Sequence, residues 1–557
     1  MPARLRLIAL LTAVLFFSLG FVTPTGGDLF EVSRNMEIFG RLYTEVNKVY
    51  VDETDPTGLM RTGIDAMLAQ LDPYTNFYSE SQIDLSRLMN SGQYAGIGIE
   101  VGRREDKILI IEVQGESPAD SAGLLVGDEI LAVDNVAVAG AESRTVEEVR
   151  NLLLGEKGSR FSLSIKRPGE PAPRELSVVR GGSEVQEENV PYFGLINPEV
   201  GYVELSGFMA NAGNEVATAV RALRSQSPEL KGVVLDLRGN PGGRLDQAVE
   251  VSNVFIPQGE LITEMRGRTS DSRNKFYTLL PPVDTEIPVV VLINGRSASA
   301  SEIVAGSIQD LDRGVVIGQR SFGKGLVQNV RPLSFNTQMK VTIAKYYTPS
   351  GRCIQAIDYS VRNPDGSVGR IPDSLINSFR TQNGRLVYDG GGIDPDIVIE
   401  KASPAPVTQA LQAQNLIFDY VSAYVREHDS IAAPRDFRLP ETVFPDFVAF
   451  VEGQGFAFQT HTEIQLDLLE KSLGEEGYDT PMAAQLEAIR TKLEEQKSAD
   501  LARYRPEIEG LLEREIIRRY YFHRGAVEAS FDRDPELLEA VRLLGDSDRY
   551  QAILAGE

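Results

Sequence analysis

The chain has 557 residues, 42% of them apolar and 24% charged, and a formal net charge of −24. That length implies several domains with room for substantial cores, and so acidic a balance argues against binding nucleic acid by neutralising its phosphates. The single cysteine, Cys353, excludes an intramolecular disulfide framework, a CxxC redox pair and a cysteine-rich zinc site.

The first residues carry Arg4 and Arg6, an apolar run over 7–22, and then Pro24, Gly26 and Gly27. A charged start, a short apolar run and helix breakers predict an export signal over 1–27, with Ser18-Leu19-Gly20 offering small residues for cleavage. The run is short for a spanning helix; an uncleaved inner-membrane anchor is the alternative, and would be the chain's one membrane association. Either way the remainder is expected outside the cytoplasm, in a bacterial periplasm or cell envelope. Residues 28–88 read as helices. Ile38, Leu42, Val46 and Val49 share one face, and Leu59, Ile64, Met67 and Leu71 another.

Over 94–182 the pattern turns to strands. Gly96-Ile97-Gly98-Ile99 leads into one, 108–113 forms another, and 161–165 alternates as a closing strand after a helix over 145–154. Ser117-Pro118-Ala119, Ala122-Gly123-Leu124 and Gly127-Asp128-Glu129-Ile130 resemble the body of a PDZ domain. A PDZ groove adds a peptide to a sheet edge as an extra strand and holds its terminal carboxylate on the N–H groups of a glycine-containing loop. Gly96, Ile97, Gly98 and Ile99 are the candidate loop. Such a groove suits unfolded or frayed C-termini with small apolar ends; a PDZ fold that only braces its neighbours is the plainer alternative.

Beyond residue 200, strands and helices alternate: strand 200–208, helix 214–223, strand 232–238, helix 245–254, strand 287–293 and strand 315–318. This order predicts a mainly parallel sheet covered by helices. Gly239-Asn240-Pro241-Gly242-Gly243 joins a strand to a helix, but lacks the spacing of a dinucleotide-binding loop. Strand 287–293 runs into Ser297-Ala298-Ser299-Ala300-Ser301-Glu302 and a helix start. A helix N-terminus carries unpaired N–H groups and a partial positive charge, which can support a serine alkoxide or a developing oxyanion. Ser321-Phe322-Gly323-Lys324-Gly325 then presents a lysine between glycines; no Ser or Thr follows Lys324, so the P-loop pattern fails. The three histidines, His428, His461 and His523, all lie far beyond this region, which argues against a Ser-His-Asp triad.

Ser-Ala-Ser-Ala-Ser-Glu followed by Phe322-Gly323-Lys324-Gly325-Leu326-Val327-Gln328 resembles the signature of the C-terminal processing peptidases, also called tail-specific proteases. The resemblance extends over about residues 39–400. It implies that Ser299 is the nucleophile, Lys324 the general base and Gln328 the residue that orients the lysine. Arg238 to Gly243 is similar to the family's R-x-N-x-G-G loop, which implies an oxyanion-hole N–H at Gly242, with Gly243 as the alternative, and Ala300 N–H as the second donor. A lysine base must be neutral, which requires its pKa to fall several units from ~10.4 through burial; Phe322 and Val327 are expected to provide it. Leu71-Asp72-Pro73-Tyr74-Thr75 resembles the family's turn before the PDZ domain, and Gly392-Ile393-Asp394-Pro395-Asp396 its closing phrase. The polar stretch 357–386 is a departure from the shorter family pattern.

Residues 401–557 read as helices, among them 410–424, 482–497 and 508–522, with breaks at Pro440 and Pro445. The stripe Leu512, Ile516 and Tyr520 reads as core. His461, Glu463 and Asp467 make a poor metal set. This extension is expected to serve homo-oligomerisation or substrate gating.

The whole is a multidomain α+β protein: a helical N-terminal part over 28–89, an inserted PDZ domain over 90–182, a crotonase- or Clp-like α/β protease core over 183–400 and a helical extension over 401–557. The expected function is an exported serine endopeptidase that recognises protein or peptide C-termini, with no metal or organic cofactor. The alternatives are an inactive PDZ scaffold and a crotonase-like acyl-CoA enzyme.

Overall fold

The computed structural model of the protein describes residues 26–80, 82–83, 94–138, 144–181, 188–363, 365–400 and 403–557. The export signal read from residues 4–22 lies outside them, as do the expected domain limits near 90 and 182. Among the described residues no helix is long and apolar enough to cross a membrane. The chain divides between Phe77 and Tyr78 into two compact units.

The first unit holds α1 (Gly26–Val49) and α2 (Pro56–Ala69). Asp55 caps α2 by accepting from Thr57 N, and Pro56 opens the helix where its missing N–H costs nothing. The Asp72-Pro73-Tyr74-Thr75 phrase is a closed turn: Asp72 Oδ1 accepts from Tyr74 N and Thr75 N, both at 2.9 Å.

In the second unit the PDZ domain comes first. It comprises β1 (Ile99–Arg104), β2 (Lys107–Val113), β3 (Glu129–Val133), α3 (Val146–Leu153), β4 (Arg160–Lys166) and β5 (Arg174–Val179), with sheet order β1-β2-β3-β4-β5. The antiparallel ladder leaves β1 at an edge, with α3 packed beside it. Thr145 and Glu148 form a capping box that starts α3. Alternate residues of β4, Phe161, Leu163 and Ile165, point into a core with Ile97, Ile110 and Val149.

The next domain opens with β6 (Tyr192–Asn197), β7 (Val200–Glu204), α4 (Ala212–Gln226), β8 (Gly232–Asp236) and α5 (Leu245–Phe255). After β9 (Leu261–Gly267) and β10 (Asn274–Tyr277) come β11 (Val289–Ile293), α6 (Ala300–Asp310) and β12 (Val315–Gly318). A second, antiparallel sheet pairs β9 and β10 with β13 (Leu326–Pro332) and β14 (Gln338–Tyr347). The polar stretch 357–386 and the two residues after it form two short hairpins: β15 (Ile357–Arg362) with β16 (Val368–Arg370), and β17 (Ser378–Arg380) with β18 (Leu386–Tyr388). β19 (Ile397–Val398) completes the core sheet in the order β6-β7-β8-β11-β12-β19, parallel except for β6.

Both faces of this sheet are covered, which explains its unbroken apolar strands. Val233, Leu235, Val289, Val291 and Ile293 face α4, α5 and α6. Val234, Val290, Leu292, Val315 and Ile317 face the other way, onto Phe531, Leu537, Leu543, Leu544 and Tyr550. The second layer is therefore the end of the chain. It follows α7 (Pro406–Ala413), α8 (Leu416–Glu427), α9 (Val443–Gly453), α10 (His461–Glu476), α11 (Asp479–Lys497) and α12 (Arg505–Ser530), and consists of α13 (Pro535–Gly545) and α14 (Ser547–Ala555). Tyr550 hydroxyl accepts from Val289 N at 3.0 Å and so ties α14 to the start of β11. The expected extension over 401–557 thus contributes its last two helices to the core. Pro445, expected to break structure, sits in the first turn of α9, where a proline is tolerated. Leu512 and Ile516 are fully buried, as their stripe predicts.

The PDZ domain is held by α8 and α12. Arg104 grips Asp419 with two hydrogen bonds of 2.5 and 2.7 Å, and Arg518 reaches Glu112 at 2.6 Å. Phe522 packs against the PDZ core from inside α12, at φ 56° and ψ −159°, a break in the helix at a non-glycine residue. The next residue, His523, binds Glu204 at the end of β7 at 2.8 Å. This hydrogen bond raises the His523 imidazole above its ordinary value of 6.5.

Two outcomes follow. Leu543→Ala should cost about 2–5 kcal/mol by opening a cavity under the sheet, read by urea unfolding. Because His523 is raised, its pairing with Glu204 adds stability in full below the unfolded value of 6.5, and loses it as pH climbs through the folded value. The difference in Tm between wild type and His523→Gln should therefore shrink from about pH 5 to about pH 9; a constant difference would contradict the pairing.

Candidate active site

Three loops leave the C-terminal edge of neighbouring parallel strands, where open α/β sheets build their sites. The first, after β8, is the turn 237–243; the second, after β11, is 294–299; the third, after β12, is 319–325. Each contains residues singled out by sequence.

Ser299 joins β11 to α6 at φ 57° and ψ −111°. That is a sparsely populated conformation for a residue with a side chain, and such strain collects at functional sites. It is the kind of sharp strand-to-helix turn that lifts a nucleophilic serine out of a sheet. Ser299 is buried. Ala300 is the first residue of α6, so its N–H has no partner within the helix.

Gly242 lies against this turn. A Cβ on it would stand 2.6 Å from Ala298 O and 2.9 Å from both Ala300 N and Ser299 Cβ, so only glycine fits. The turn is organised by Asn240, which is fully buried. Its Nδ2 donates to Leu205 O at 2.7 Å, and its backbone oxygen accepts from Ala298 N and Ser301 Oγ, both at 3.0 Å. Its Oδ1 accepts from Gly242 N at 2.8 Å. The Gly242 N–H is therefore engaged in this conformation. The Gly243 N–H, the alternative, has no acceptor among the described residues.

The lysine loop is fastened to the serine turn through one side chain, Glu302 of α6, which is fully buried. Its Oε1 accepts from Ser321 Oγ at 2.5 Å and Gly323 N at 2.7 Å; its Oε2 accepts from Ser299 N at 2.8 Å and Lys324 N at 2.9 Å. One carboxylate oxygen thus holds the backbones of Ser299 and Lys324 side by side. Burial pushes the Glu302 carboxyl above its ordinary value, against the pull of its four donors. Phe322 N adds a bond to Ser297 O at 3.0 Å. Gly323, at φ +86°, allows the loop to pass Ala356, which a Cβ there would meet at 2.3 Å.

Lys324 is half-buried. Val327 is buried as expected, and Phe322, the other residue expected to shield the lysine, is 44% exposed. Gln328 lies beside a bulge of β13, with Nε2 on Thr342 Oγ1 at 3.2 Å. In the PDZ domain, the carbonyls of Gly96, Ile97 and Gly98 are bonded to Gly181 N, Ala119 N and Gln114 N at 2.8, 2.9 and 2.9 Å. The N–H groups of Ile97 and Gly98 have no acceptor among the described residues. Ile99 then opens edge strand β1.

Sequence reasoning missed Glu302 and Asn240. Glu302 stands inside the serine motif and Asn240 inside the glycine turn, but the partners that tie them to other segments, Ser321 and Leu205 among them, lie 19 or more residues away, which no local pattern reveals.

Comparison with known proteins identifies three segments of the chain. Residues 199–365 match the model of peptidase family S41, 109–167 that of a PDZ domain, and 407–544 that of the C-terminal helical domain of probable PDZ-proteases. A carboxy-terminal-processing protease of Bartonella bacilliformis is 37% identical over 321 residues, which cover 57% of this chain and 72% of that protein. The chain belongs to the C-terminal processing protease family. A second relative, a carboxyl-terminal-processing protease of Synechocystis sp., is 34% identical over 57% of this chain and 70% of its own length. Among solved structures, the photosystem II D1 C-terminal processing protease is 26% identical, covering 65% of this chain and 92% of that one, with a TM-score of 0.35. This C-terminal processing protease is a serine-type endopeptidase, which sets aside the acyl-CoA and inert-scaffold readings.

In this protease Glu302→Gln would place an amide N–H₂ where two donors now converge. Lost charged hydrogen bonds cost about 1.5–3 kcal/mol each, so kcat should fall at least about tenfold and Tm should drop with it. Wild-type kcat in the glutamine variant would refute the fastening role.

Proposed function

We propose that this C-terminal processing protease is an exported endopeptidase that captures a substrate's C-terminal tail on its PDZ domain and cuts the chain with a Ser299–Lys324 dyad. The observation that carries the reading is the shared Glu302 oxygen: it sets a strained serine and a half-buried lysine side by side on two loops at one sheet edge. The N–H groups of Ile97 and Gly98, beside edge strand β1, support capture of a terminal carboxylate. Arg4, Arg6 and the apolar run over 7–22 support export.

In the reaction, neutral Lys324 takes the Ser299 hydroxyl proton as Oγ attacks the scissile carbonyl. The tetrahedral oxyanion is received by Ala300 N–H and by the glycine turn. The turn offers Gly243 N–H as it stands, or Gly242 N–H once Asn240 releases it. One such donor is typically worth about 3–4 kcal/mol. Lys324 then gives its proton to the leaving amine, and water hydrolyses the acyl-enzyme by the same exchange in reverse. Gln328, two strand residues from the loop, orients the lysine.

The test is cleavage of an unstructured protein with an apolar C-terminus by the protein without residues 1–27, comparing wild type, Ser299→Ala and Lys324→Ala across pH. Only wild type should cut, with a rate that rises through an ionisation below the ~10.4 of a free lysine. Cleavage by both variants at the wild-type rate would remove the dyad.

A further inference from the structure

The catalytic loops are fastened from the serine side by Glu302. On the opposite face of the sheet stands a second glutamate with the same arrangement, Glu536, in the first turn of α13 and nearly fully buried. Its Oε2 accepts from the guanidinium of Arg238, and its Oε1 accepts from the side-chain amide of Gln319. Arg238 opens the glycine turn: it follows β8, precedes Asn240 by two residues, and is braced by Asp236 at 2.6 Å and by Asp534 at 2.7 Å. Gln319 opens the lysine loop: it follows β12, precedes Lys324 by five residues, and also donates to Ile399 O at 2.9 Å. A charged, paired carboxylate with both oxygens engaged is a stiff connection, because each bond is charge-assisted or shielded from water.

Resting on the dyad reading above, we infer that Glu536 is a positioning residue for catalysis: it holds the oxyanion turn and the lysine loop in register from beneath the sheet. The C-terminal helical layer is then a working part of the active site. The family match for the peptidase ends at residue 365, whereas Glu536 belongs to the separately matched helical domain. The tie therefore runs between two modules, and the peptidase region alone does not contain it. A 350 Å³ cleft lined by Arg238, Asn294, Gln319 and Glu536 lies along this seam, so the tie bridges an opening that packing leaves unfilled.

The experiment uses the full chain and compares wild type with Glu536→Ala, Glu536→Gln and Glu539→Ala. Glu539 is the control: it lies on the same helix, is as buried as Glu536, and pairs with Arg542 and Arg549 at 3.0 and 2.7 Å and not with the loops. Two rates are read: kcat and KM on fluorescein-labelled casein, and the rate at which a fluorophosphonate labels Ser299, which needs no substrate docking. Tm is measured alongside. Glu536→Ala should lose at least about tenfold in kcat and in labelling rate, with KM within about twofold and Tm close to that of Glu539→Ala. Glu536→Gln keeps one acceptor oxygen and should fall between. Gln319→Ala breaks the tie from the loop side without touching α13 and should also lower both rates, whatever the folding of the Glu536 variants.

The inference is overturned if Glu536→Ala and Gln319→Ala keep both rates within about twofold of wild type, or if Glu539→Ala loses as much as Glu536→Ala. Ser299→Ala separates this from the underlying reading. If it still cuts casein, the dyad falls and the positioning role with it. If it is inert while Glu536→Ala is fully active, the positioning role alone is wrong.

Discussion

A single buried carboxylate sets the geometry on which the site depends. Leaving an ionised group in a protein interior costs several kcal/mol unless its lone pairs are satisfied. Glu302 meets that condition with four donors drawn from two loops. Neither loop can move away without leaving a buried carboxyl oxygen unsatisfied. The strained backbone of Ser299 is tolerable for the same reason: the Ser299 N–H is held by the carboxylate three residues later, and Ser299 O accepts from Glu302 N and Ile303 N at 2.9 and 3.0 Å. Asn240 does comparable work with a neutral side chain, joining β7 to the glycine turn and the serine turn through one residue.

These fastenings make sense of the sheet around them. Five parallel strands put the starts of three loops at fixed spacing on one edge, and two layers of helices hold the strands flat between them. Two of the three helices on the first face begin at these loops: α5 follows the glycine turn and α6 follows Ser299. The helices on the second face come from more than two hundred residues later, and Arg238 meets them at Asp534 and Glu536.

Much of this was legible in the chain because the signals are local. Unbroken apolar strands, the Ser297–Glu302 run and the glycines flanking Lys324 each specify their own backbone, and their order specifies a parallel sheet. Apolar strands with no polar alternation even announce that both faces are covered. They do not say by what, so α13 and α14 were read only as part of a helical extension. Amphipathic periodicity identifies a helix and its buried side but carries no address. The same limit hid Glu302: as the sixth residue of a recognised motif it resembles an ordinary first-turn acid, and its meaning lies in Ser321, Gly323 and Lys324. Phe322, expected from its place in the sequence to help shield the lysine, is 44% exposed. Phe522 interrupts α12 with a non-helical backbone while it packs against the PDZ core.

The position of α13 and α14 at the end of the chain has a consequence in time. A polypeptide is made from its N-terminus, so the strands, the serine turn and the lysine loop all exist before the helices that cover Val234, Val290 and Leu292. Until α13 and α14 emerge, the apolar face of the sheet that they cover is bare.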